Sequence, residues 1–67
     1  RFERLRAARG NLAREHALPA YIICHDRTLA EIARLQPSNL EDLEMVKGIG
    51  PHKARMYGQQ LLDALRT

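Results

Sequence analysis

Sixty-seven residues, 45% hydrophobic and 28% charged, make one small domain near the lower size limit for a core that folds without a metal or disulfide. A single cysteine excludes an internal disulfide, and three scattered histidines (His16, His25, His52) lack the spacing of a zinc site. The net charge is +3, and no apolar stretch approaches the roughly 20 residues of a membrane span.

The first predicted element runs from Phe2 to about Ala17. Phe2, Leu5, Ala8, Leu12 and Ala13 form its apolar stripe, with arginines on the other positions. Gly10 interrupts this run at a cost of about 1 kcal/mol relative to alanine, so it either admits a close backbone or marks a weak point. Pro19 ends the helix and opens a helical turn or extended stretch through Tyr21-Ile22-Ile23-Cys24. Cys24, inside that apolar run, reads as a buried small hydrophobe. Thr28-Leu29-Ala30-Glu31 has the pattern of a capping box and begins a helix that stops before Pro37. Ser38-Asn39-Leu40-Glu41 repeats the box and starts a helix that leads to Val46.

The segment Val46-Lys47-Gly48-Ile49-Gly50-Pro51-His52-Lys53 then reads as a tight glycine turn between two helices. Glycines adopt backbone angles that a side chain forbids and let another backbone approach closely. Pro51 suits a first helical position, where no N–H is needed. Free amides at that helix start, with Lys47, Lys53 and Arg55 around them, are a phosphate-binding arrangement. The alternative is a plain helix cap and turn that binds nothing. The last helix runs from Pro51 to about Arg66, with Tyr57 on its apolar stripe as a core residue. The expected core comprises Phe2, Leu5, Leu12, Leu18, Ile22, Leu29, Ile32, Leu43, Val46, Ile49, Tyr57, Leu61 and Leu65. The fold class is all-α: four clear helices and one short one in a compact bundle.

Charge is unevenly placed. Residues 1–14 carry Arg1, Arg4, Arg6, Arg9 and Arg14 against Glu3, a net +4; residues 26–46 sum to −3, and residues 47–67 to +3. A surface that wraps nucleic acid on all sides does not fit an acidic middle, so any phosphate-binding face must be local. The acidic residues Asp26, Glu31, Glu41, Asp42 and Glu44 offer a second face, for a protein partner. No Ser/His/Asp or Cys/His set, phosphate loop or paired carboxylates mark an enzyme.

Leu18-Pro19-Ala20-Tyr21-Ile22-Ile23, Asp26-Arg27-Thr28-Leu29, Ile32-Ala33, Pro37, Leu43-Glu44-Met45-Val46-Lys47-Gly48-Ile49-Gly50, Lys53, Tyr57-Gly58 and Leu61-Leu62 occur in one ordered series. In this order the chain closely resembles the HRDC (helicase and ribonuclease D C-terminal) domain, most of all the one in bacterial RecQ helicases. The resemblance covers nearly the whole chain. It implies a five- or six-helix bundle with no catalysis or cofactor of its own. ATP, magnesium and zinc would belong to the rest of an ATP-dependent helicase. It implies an auxiliary module that binds single-stranded or partly unpaired DNA and is flexibly tethered to catalytic domains that form a further partner. Tyr21 is the implied DNA-contacting tyrosine, against the alternative of a half-buried core residue. Gly48, Gly50, Lys47 and Lys53 match the glycine hairpin. The chain opens on Arg1 rather than methionine, as expected of a piece of a longer protein. A reduced cytoplasmic setting, near the nucleoid, and a monomeric state complete the expectation.

Overall fold

Leu5, Leu12 and Ala13 turn to one side of a helix and are buried, which sets α1 over Phe2–His16. The computed structural model describes residues 2–66, so Arg1 of the N-terminal arginine group lies outside the described residues. Ala17 closes α1 in a left-handed conformation (φ 54°), and the Leu18 N–H donates to the Ala13 carbonyl at 2.9 Å. That is a Schellman ending made without the usual glycine. Pro19 in extended geometry then caps α2, Ala20–Ile23, so Tyr21–Ile23 form a helical turn and Cys24 is extended.

Helix α3 spans Asp26–Leu35 with His25 as its cap, three residues earlier than the expected cap Thr28. The extended His25 offers its carbonyl to the N–H groups of Thr28 (3.0 Å) and Leu29 (3.1 Å). Thr28 therefore lies inside the helix, only 6% exposed, and its side chain faces Gly48 rather than the helix start. Asp26 takes the first turn, where the helix dipole favours a carboxylate. Gln36, left-handed at φ 49°, ends α3 just before Pro37.

Helix α4 covers Leu40–Glu44. Its cap is Asn39 rather than Ser38: the Asn39 Oδ1 accepts from the Asp42 N–H at 2.8 Å. It stops two residues short of Val46, because the chain turns there. Val46 donates to the Leu43 carbonyl and Ile49 to the Val46 carbonyl, both at 3.0 Å, while Gly48 and Gly50 have φ of +100° and +68°. The buried side chains of Val46 and Ile49 anchor the turn to the core. Helix α5, Gly50–Arg66, follows and buries Ala54, Tyr57, Leu61 and Leu62.

The described residues thus form the expected five-helix, all-α bundle with its glycine turn. Helix α1 packs on α5, α2 and α3, and α4 packs on α5. Leu5, Leu12, Ile23, Leu29, Ile32 and Leu43 are fully buried at the centre. Tyr57 is core as expected, with the His16 ring edge-on to it at 5.1 Å. Leu18 and Ile22, by contrast, are exposed. A single turn of helix points one of two adjacent isoleucines inward, and Ile23 takes that place. Phe2 and Leu65 are only partly buried at the helix ends.

Candidate nucleic-acid interface

Two surface clefts lie on either side of the α3 N-terminus. The first is lined by Arg9, Ala20, Tyr21, His25, Asp26 and Arg27. The second passes Thr28, Ala30 and Glu31 to Lys47 and Gly48, and His25 and Arg27 line it too. The one-turn helix α2 lifts Tyr21 out of the core: it is 59% exposed and lies near-parallel to the His25 ring, 6.4 Å between centroids and 28° between planes. The exposed tyrosine therefore is not the half-buried core residue of the alternative expectation. At the other end, Gly48 brings the glycine turn against α3. A Cβ at Gly48 would collide with the Thr28 hydroxyl. This close approach, absent at Gly50, holds Lys47 beside the second cleft.

Charges in the clefts do not follow the segment totals. Arg9, an expected surface arginine, is 9% exposed. Its Nη1 donates to the Cys24 carbonyl at 3.0 Å and pairs with Asp26 Oδ1 at 2.7 Å. Arg34 grips Glu31 through two bonds, Nε to Oε1 at 3.0 Å and Nη2 to Oε2 at 2.9 Å. The hydrogen bonds from Arg34 hold the Glu31 carboxyl below its ordinary range. Both carboxylates that reach the clefts are thus matched by arginines. Among the described residues, Arg27 and Lys47 have no ion pair, so the charge they add is uncompensated. Burial pushes the Cys24 thiol up, against the opposing pull of Arg9 and Lys53, so Cys24 stays a neutral thiol behind the first cleft.

The structure therefore brings Tyr21 and Asp26 to one cleft and Lys47, Gly48 and Glu31 to the next. Gly50, Lys53 and Arg55 line neither; they stand on the first two turns of α5, with Lys53 half-buried and Arg55 exposed. Glu41, Asp42 and Glu44 are exposed on α4, apart from the α3 pair. Arg4 lines a separate groove between α1 and α5 with Asn11, Gln60 and Asp63, and Arg14 donates to Asn11. Among the described α1 arginines, Arg9 thus lines the first cleft and Arg4 the separate groove. His25 and Arg27 escape sequence reasoning as site residues. The only hint of Arg27 is a lone cation between Asp26 and Thr28. Among the described residues no group of three His, Cys, Asp or Glu side chains could hold a metal, and no helix is long and apolar enough to cross a membrane.

The sequence profile of the HRDC domain matches residues 1–65. The chain is 37% identical over 66 residues to the ATP-dependent DNA helicase RecQ of Bacillus subtilis, covering 98% of this chain and 11% of that protein. It is 32% identical over 65 residues to RecQ of Pasteurella multocida, with 97% and 10% covered. It is 37% identical over 62 residues to the ATP-dependent DNA helicase UvrD2 of Mycobacterium tuberculosis, with 92% and 9% covered. The chain thus spans about a tenth of the curated relatives it matches. No solved structure matches.

Proposed function

This chain belongs to the HRDC domain family, a non-catalytic accessory domain without a cofactor of its own, and from that premise we propose that it is the auxiliary nucleic-acid-binding module of a RecQ-type ATP-dependent DNA helicase. The observation that carries the proposal is the pairing of an exposed Tyr21 with an uncompensated Lys47 at the two ends of adjoining clefts. Single-stranded or partly unpaired DNA fits this chemistry best. An unpaired base stacks on Tyr21, worth about 1–3 kcal/mol for a base on an aromatic ring. Phosphates meet Lys47, the amides at the start of α5 beside Gly48 and Gly50, and then Lys53 and Arg55.

So few contacts make weak binding that falls steeply with salt, by about 0.7 in the logarithmic slope per phosphate contact on a single strand. Tethering offsets the weakness, because a linker to the catalytic domains raises the local concentration at DNA. In this proposal the module acts as a monomer in the bacterial cytoplasm and tunes substrate choice in DNA repair and recombination. ATP, magnesium and zinc sit elsewhere in the parent.

A second role rests on Glu41, Asp42 and Glu44. Asp26 and Glu31 are already matched by arginines, so the acidic face open to a basic protein surface narrows to α4. There it would dock on other domains of the parent.

Fluorescence-anisotropy titrations of the chain with single- and double-stranded DNA at two salt concentrations test the proposal. Binding should weaken with salt, and Tyr21→Ala and Lys53→Glu should each weaken it by about tenfold. Glu44→Lys should change the DNA binding of the parent more than that of the chain alone. A folded chain that binds no DNA refutes the DNA-binding role and leaves docking through α4.

A further inference from the structure

We infer that the two clefts are one continuous track for a single nucleic-acid strand, with His25 and Arg27 at its middle and Arg27 as a phosphate contact on which its affinity depends. The inference rests on the DNA-binding role proposed above and adds the two residues that connect its ends.

Three observations support it. First, His25 and Arg27 are the residues common to both clefts. A strand that stacks a base on Tyr21 and places a phosphate at Lys47 must therefore pass them. Second, the near-parallel rings of Tyr21 and His25 make one flat apolar step, and their 6.4 Å separation lies within the range of ordinary ring contacts. A base that leaves Tyr21 meets a second ring before it meets open solvent.

Third, the local charge favours a phosphate in spite of the acidic segment that contains it. Residues 26–46 sum to −3, and that total predicts repulsion. Within the clefts, however, Asp26 is held by Arg9 at 2.7 Å and Glu31 by Arg34 at 2.9 Å. The carboxylates not so held, Glu41, Asp42 and Glu44, stand on α4. What remains in the track is Arg27 and Lys47, beside the ring step of Tyr21 and His25. Arg27 is exposed and carries a guanidinium that can give two parallel hydrogen bonds to one phosphate. A bulk count of charge along the chain thus gives the wrong sign for this surface.

The test compares Arg27→Ala with Arg6→Ala in anisotropy titrations of the 67-residue chain against a fluorescein-labelled single-stranded oligothymidine over a series of salt concentrations. Arg6 is exposed on α1 and outside both clefts, so its removal controls for net charge. Arg27→Ala should weaken binding about five- to tenfold and reduce the salt slope by about 0.7, while Arg6→Ala should change affinity by less than about twofold. Arg27→Lys should restore the slope but only part of the affinity, because it keeps the charge and loses the fork. Tyr21→Ala combined with Arg27→Ala should cost less than the sum of the two, since one strand makes both contacts. Equal effects of Arg27→Ala and Arg6→Ala overturn the inference. If Tyr21→Ala and Lys53→Glu still weaken binding in that case, the DNA-binding role stands without it. A folded wild-type chain that does not bind the oligonucleotide overturns both.

Discussion

Arg9 sits among five arginines in the first 14 residues, yet among the described ones it is the one that is buried, reaching across to the carbonyl of Cys24 and the carboxylate of Asp26. The two ends of that ion pair are unequal. The Arg9 side chain is 10% exposed and that of Asp26 is 74% exposed, so water screens only the acid. Removing Arg9 takes away a charge-assisted hydrogen bond to a carbonyl and the packing of the side-chain stem together. Removing Asp26 leaves Arg9 its bond to Cys24 and access to the cleft. Arg9→Ala should therefore destabilise the fold by about 2–4 kcal/mol and Asp26→Ala by about 1 kcal/mol, read from midpoints of urea unfolding. Similar losses for the two variants would show that the ion pair, and not the anchoring of α2, is what Arg9 contributes. Helical spacing sets Arg9 apart from Arg6, since it stands four residues after Leu5 and three before Leu12 on the buried face of α1, but it does not show what an inward arginine would meet. Its partner carbonyl is 15 residues away in sequence and becomes available only once α2 folds back on α1.

At the level of helices, the two interior glycines separate what sequence shows from what it hides. Gly10 and Gly58 look alike in a helical stripe. In α1 a Cβ on Gly10 would meet only the distal Arg14 Nη1, at 3.8 Å. In α5 a Cβ on Gly58 would fall 2.6 Å from Leu40 Cδ2 and 3.1 Å from the fully buried Leu43 Cδ2. Gly10 is thus the weak point of the two possibilities its sequence left open, and Gly58 is the close approach of α4 to α5. Gly10→Ala should stabilise the chain by about 0.5–1 kcal/mol through helix propensity alone, while Gly58→Ala should destabilise it by about 1–2 kcal/mol, both measured by thermal unfolding. A stabilising Gly58→Ala would mean that Leu40, half exposed, swings away at little cost. Long helices were legible for the same reason that Gly10 was ambiguous: periodicity reports which face is buried, not what lies opposite. Caps were less legible. Thr28 and Ser38 have the right chemistry for an N-cap, but Thr28 is claimed by the packing against Gly48 and Ser38 yields to the next residue, Asn39.

Across the whole molecule, the bundle and its glycine turn with Lys47 follow from local pattern, and the family resemblance carries Tyr21. The clefts between them do not follow. They exist because α2 and the glycine turn reach the same end of α3, a relation between segments some 25 residues apart that no periodicity encodes. Cys24 lies where these parts join. It is fully buried beside the equally buried Ile23, and burial pushes its thiol up, so the reactive thiolate is scarce in the native state. Labelling by an aromatic disulfide reagent at neutral pH must then wait for the fold to open. A core this small supports a stability of only about 3–5 kcal/mol, which should slow labelling by roughly a hundred- to several-thousand-fold relative to the chain in denaturant. Gly10→Ala, which touches nothing near Cys24, identifies the opening. If the whole bundle opens as one unit, the variant slows labelling by the two- to fivefold that about 0.5–1 kcal/mol implies. An unchanged rate would mean that α2 opens alone, and that Tyr21 rides on the least stable element of the domain.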